Sequence, residues 1–126
     1  VLNFLKSRNI PIAIGTSNSE FLAKKVLISN NVIEYFDIFS CGCQDIKGKP
    51  YPDIFLSAAN QLKVNPEECL VLEDTLYGVQ AAVNANMKVI SIFDKFALHE
   101  HPDMKKLTGN FFYNYTELLN YFKETL

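Results

Sequence analysis

Four apolar bursts recur along the chain at intervals of a few dozen residues: Ile10 to Ile14, Phe36 to Phe39, Cys69 to Leu72 and Val89 to Phe93. They read as continuous rather than alternating, the pattern of parallel strands covered on both faces. Helical periodicity fills the intervals. Phe55, Ala58, Ala59 and Leu62 fall at i, i+3, i+4 and i+7; Leu76, Val79 and Val83 form a similar stripe, and Tyr115, Leu118, Leu119 and Phe122 repeat it. Strands alternating with helices predict an α/β fold, and right-handed crossovers make it a doubly wound, mostly parallel sheet. The polar, proline-containing stretch from His99 to Lys106 reads as a loop with one helical turn.

Length and charge narrow the classes of function. The 126 residues, 48% hydrophobic and 21% charged, suit a single core, and a chain of this size buries about two-thirds of its unfolded surface. No apolar run approaches the roughly 20 residues of a membrane-spanning helix, and no secretion signal opens the chain, so a cytoplasmic location is expected. With a net charge of -2 and only Lys24-Lys25 and Lys105-Lys106 as basic pairs, neither nucleic acid nor an anionic membrane is an expected partner. Three cysteines, Cys41, Cys43 and Cys69, read as reduced thiols.

In doubly wound sheets ligands sit at the carboxyl ends of the strands, so the residues after each burst carry the chemistry. Gly15-Thr16-Ser17-Asn18 follows the first burst. Ser17 and Glu20 read as a capping box, and the Thr16 hydroxyl beside free N–H groups offers a place for a phosphate oxygen. The second burst leads to Gly48-Lys49-Pro50-Tyr51-Pro52-Asp53, a stiff loop that delivers Lys49 from a fixed backbone, with Pro52 suited to the first helical position. It is not a nucleotide-binding P-loop, because five residues separate Gly42 from Gly48 and Pro50 replaces the hydroxyl residue. Glu73 and Asp74 follow the third burst. Asp74 could cap the next helix, which leaves Glu73 without a role. Two adjacent acids repel each other unless a cation lies between them, and Mg²⁺ suits one or two carboxylates plus a substrate phosphate. Gly78 admits a close approach to that helix or simply packs there.

Hydroxyl, lysine and paired acids, in that order on one rim, resemble the haloacid dehalogenase-like hydrolases, in their phosphatase and phosphomutase branch. "IAIGTSN" is similar to the family's second motif, "GKPYPDIF" to its third, and "LVLEDTLYGVQAA" with "VISI" to its fourth. The wording is nearest pseudouridine-5'-phosphatase-like and β-phosphoglucomutase-like members. The resemblance implies a Mg²⁺-dependent phosphomonoester hydrolase acting on a small phosphorylated substrate, such as a sugar or nucleotide phosphate. Thr16 and Lys49 would hold the transferring phosphoryl group with Ser17 and Asn18 beside them, and Glu73 and Asp74 would hold Mg²⁺. Asn86 stands where the family usually has glycine, and tolerates the left-handed conformation of a helix end.

One departure is larger. The family's first motif, a strand ending in Asp-x-Asp that carries the nucleophile, is absent from the 126 residues, and the first residue is Val1. The expectation is a C-terminal part of the core domain, lacking that strand and the cap domain, and inactive alone. In the family the strand lies between those ending at Gly15 and Leu72. An ordered structure is therefore expected to fill that place or to pair the two strands directly, since bare edges favour association.

Four rival readings remain. A zinc module could use Cys41, Cys43, His99 and His101, although the spacing is unlike that of a zinc finger. A receiver-type phosphoacceptor domain has its acids before the hydroxyl and lysine, the reverse of the order here. A phosphomutase, or a binding domain on a decayed phosphatase fold, would share the same rim.

Overall fold

The computed structural model describes residues 1–42 and 45–126. The apolar bursts become β1 (Ala13–Thr16), β2 (Ile38–Cys41), β3 (Leu70–Glu73) and β4 (Lys88–Ile92), and a fifth strand, β5 (Asn110–Phe112), follows. All pairings are parallel. The helices are α1 (Leu2–Ser7), α2 (Glu20–Ser29), α3 (Asp53–Leu62), α4 (Leu76–Asn84), α5 (His101–Leu107) and α6 (Tyr115–Thr125). The predicted loop at 99–106 is instead a 3₁₀ segment, Lys95–Glu100, running into α5, with Pro102 in the first turn, where a missing N–H costs nothing.

The doubly wound arrangement is clearest at β4, whose two faces enter different cores. Val89 packs against the cluster of Ile54, Phe55 and Ala59 from α3, Val71, and Ala81 and Ala82 from α4. Ile90 and Ile92 pack with Leu118 and Phe122 of α6, and Phe4 and Leu5 of α1 lie against them. The predicted stripes hold for α3, where Phe55, Ala58 and Ala59 are buried, and for Leu118 and Phe122 of α6, while Tyr115 is exposed. In α4 the stripe is displaced. Val79, Ala81 and Ala82 face inward and Val83 lies outside, because small residues let the helix sit close to β3 and β4.

The expected closure of the sheet does not occur. β1 and β2 form one pair, and β3, β4 and β5 a separate sheet, so among the described residues β1 and β3 each keep an unpaired edge. Among the described residues there is neither an intervening strand nor direct pairing. The two sheets are joined instead by α3. The Gly15 backbone meets the Phe55 ring, Ser40 Oγ donates to the Ile54 carbonyl at 2.7 Å, and the same helix shares its core with β3 and α4. Two-sided coverage also fails at β3. Val71 and Glu73 are buried, whereas Leu70 and Leu72 are 41% and 38% exposed on the other face.

Candidate phosphate and cation site

Lys49, from the loop after β2, meets Glu73 at the carboxyl end of β3, and the Phe55 ring near Lys49 also lies beside Gly15, next to Thr16. Thr16 ends β1, and its Oγ1 accepts the Asn18 N–H at 3.2 Å, leaving the hydroxyl proton free to donate. The Gly42 N–H holds this turn by donating to the Thr16 and Asn18 carbonyls at 2.8 and 3.2 Å. Ser17 and Asn18 are exposed. The predicted capping box fails. Ser19, not Ser17, is the N-cap of α2 and accepts the Leu22 N–H, so Glu20 is the first helical residue and stands too early for the reciprocal bond.

Lys49 comes from a loop held at several points. Tyr51 N–H donates to the Gly48 carbonyl at 3.0 Å, and Asn84 of α4 donates to the Pro50 carbonyl at 3.0 Å. Pro52 is the residue just before α3 rather than its first residue. Lys49 Nζ lies 5.0 Å from the centre of the Phe55 ring, a cation–π distance. It is bonded directly to Glu73 Oε1.

The two neighbouring acids are therefore unlike. Glu73, with its side chain only 7% exposed, spends Oε1 on Lys49 and Oε2 on the Thr75 hydroxyl at 3.1 Å and the Asp74 N–H at 3.3 Å. Its charge is answered from within the chain. Asp74 is exposed at the strand end, and its carboxylate accepts no hydrogen bond from any other described residue. Nor does it cap α4. Thr75 is the N-cap and accepts the Gly78 N–H at 3.2 Å, so the simplest structural role for Asp74 is filled by its neighbour. Partial desolvation pushes the Asp74 carboxyl above its ordinary range, the Glu73 charge and more distantly Asp94 add to this, and its own N–H and Lys49 work against it.

Gly78 proves to be a point of close approach. The Glu73 carboxylate lies where a Cβ on Gly78 would be, so only glycine lets the acid fold back against the start of α4. At the other end of α4 the left-handed position predicted at Asn86 is present, with φ 59°. Sequence reasoning missed Thr75, readable as a hydroxyl residue just before a helical stripe, and the second role of Phe55, read only as core.

Among the described residues no hydrogen bond joins Thr16 to Lys49, Glu73 or Asp74; Phe55 is the link, with its ring against Gly15 and under Lys49. Among the described residues no zinc set assembles. Cys43 lies outside the described residues, His99 is exposed, and His101 is buried with its ring 5.1 Å from Phe93 and 5.0 Å from Phe111. No described group of three or more His, Cys, Asp or Glu residues is placed to hold a metal. Mg²⁺ requires less protein than that, one or two carboxylates with water or phosphate completing the shell. An unpartnered, electrostatically strained carboxylate beside a second acid fits it.

A doubly wound α/β domain with its ionised residues gathered at strand ends is the class that the fold and the rim define. Residues 1–86 match the haloacid dehalogenase-like hydrolases, and the chain belongs to that family. It is 35% identical over 130 aligned residues to a phosphorylated carbohydrates phosphatase of Thermotoga maritima, covering 99% of this chain and 57% of that protein. It is 36% identical to the β-phosphoglucomutase of Bacillus subtilis, over 70% of this chain and 38% of the other. The solved β-phosphoglucomutase of Clostridium difficile superposes with a TM-score of 0.81 at 28% identity, covering 98% of this chain and 52% of that one. The chain thus spans about half the length of these relatives or less, and lies in the family's phosphatase and phosphomutase branch.

The raised pKa gives Asp74 a signed pH dependence. Because its folded-state value exceeds the usual carboxylate value of about 3.9, its contribution to stability is full in acid and is lost as pH rises through the raised value. In the absence of divalent cation, Asp74→Asn is therefore expected to melt no lower than the parent at pH 7. A drop of several degrees in the thermal melt would contradict this.

Proposed function

We propose that this chain supplies the phosphate- and Mg²⁺-binding half of a phosphomonoester hydrolase acting on a small phosphorylated metabolite. The observation that carries the reading is the division of labour at the end of β3. Glu73 is tied to Lys49, and Asp74 is left without a partner on the same rim. Thr16, with Ser17 and Asn18, would offer donors to the phosphoryl oxygens, and Lys49 would share its charge between that anion and Glu73. Asp74, backed by Glu73, would hold Mg²⁺, which when bound neutralises charge on the transferring group. No Asp-x-Asp occurs in these residues. The nucleophile is therefore assigned to a segment outside them, as are the elements that select the substrate. Family membership and the phosphatase and phosphomutase relatives support the reading.

No described helix is long and apolar enough to cross a membrane, and a cytoplasmic location accords with a diffusible substrate. The test is calorimetric titration of the chain with Mg²⁺. Binding by the parent and its loss in Asp74→Asn are expected, with no phosphate released from a simple aryl phosphate by either. Equal binding by the two proteins, or Mg²⁺-dependent turnover by the 126-residue chain, would contradict the assignment.

A further inference from the structure

The acidic turn after β3 is fixed by a residue far from it in sequence. Glu100, at the end of the 3₁₀ segment, reaches α4 and accepts the Leu76 N–H on Oε2 at 2.7 Å. Its side chain is 26% exposed, and its other oxygen lies 3.7 Å from Nε2 of the exposed His99. α4 thus has two of its free N–H groups satisfied from different sources, Gly78 by Thr75 within the turn and Leu76 by Glu100 from outside it. A carboxylate there also suits the positive end of the helix dipole.

The consequence falls on Asp74. No other described residue hydrogen-bonds its side chain, so its direction depends on the backbone that carries it. On one side that backbone is held by buried Glu73, bonded to Lys49, to Thr75 and to the Asp74 N–H. On the other side the hold is Leu76 on Glu100. We propose that Glu100 is a positioning residue that aims Asp74 at the cation, acting through the Leu76 N–H and not through its own charge. This rests on Asp74 being a Mg²⁺ ligand. Residues that orient ligands in this way typically account for about 10- to 100-fold in metal affinity.

Glutamine keeps the acceptor oxygen and removes the charge, and alanine removes both. The experiment compares the 126-residue chain with Glu100→Gln, Glu100→Ala and Asp74→Asn, by Mg²⁺ calorimetry and by hydrogen exchange at the Leu76 amide. Glu100→Ala is expected to bind Mg²⁺ about tenfold more weakly and to exchange Leu76 faster, while Glu100→Gln keeps both near the parent. Parent-like affinity in Glu100→Ala overturns the proposal, and so does a Glu100→Gln variant as weak as the alanine. A parent that binds no Mg²⁺, or an Asp74→Asn variant that binds as well as the parent, removes the role of Asp74 itself and the positioning role with it. Loss of helix capping alone would lower the thermal melt and leave the affinity unchanged.

Discussion

Replacing Lys49 by methionine is expected to destabilise the chain by about 3 kcal/mol, the low end of the usual cost of leaving one member of a buried ion pair without its partner. The low end applies because Glu73 keeps two other donors, the Thr75 hydroxyl and the Asp74 N–H. The side chains of Lys49 and Glu73 are only 16% and 7% exposed, so solvent cannot take over the lost interaction. Methionine retains an apolar stem of similar length, so the loss reports on charge more than on packing. Adding Glu73→Gln to the same chain should recover part of the stability, since no charge is then left buried. Denaturant midpoints for the two single variants and the double variant measure the coupling. Additive losses would mean that the pair does not act as a unit.

Gly78→Ala is expected to have the opposite sign from its helix propensity. In an ordinary helix interior the change stabilises by about 1 kcal/mol. Here the new methyl group would occupy the place of the Glu73 carboxylate. The acid would have to leave Lys49 and Thr75, at a cost of about 3 kcal/mol for the broken pair, so a net loss of about 2 kcal/mol is expected. Mg²⁺ affinity should fall as well, because Asp74 loses one of its two backbone anchors. A more stable variant would show that Glu73 can move aside without penalty.

Much of this was legible in the sequence, for local reasons. Strands β1 to β4 announced themselves by their unbroken apolar runs, and Glu73 and Asp74 were singled out because a strand end is a defined place, with Lys49 in the loop after β2. β5 was missed because three residues, Asn110 to Phe112, are too few to carry a period. α5 was read as a loop with a single helical turn because His101 and Pro102 disguise its start, although the histidine packs tilted between Phe93 and Phe111 and proline suits a first turn.

What could not be read was pairing across the chain. Whether β1 meets β3 depends on how α3 seats between the sheets, and no local pattern encodes that. Glu73 choosing Lys49, and Leu76 choosing Glu100, each join residues 24 positions apart. The Ser17 capping box failed for a simpler reason. Ser19 offers the same hydroxyl two residues later, and the Gly42 N–H holds residues 16–18 as a turn ahead of α2.

A divalent cation is expected to bind where Asp74 stands beside the Lys49–Glu73 pair. Manganese in place of magnesium makes the position visible, because its unpaired electrons broaden nearby amide resonances. Substoichiometric Mn²⁺ added to isotopically labelled chain should broaden the signals of Glu73, Asp74 and Thr75 first, with Mg²⁺ reversing the effect and Asp74→Asn abolishing it. Broadening centred instead on another acidic stretch, such as Glu67-Glu68, and unchanged in Asp74→Asn, would contradict it.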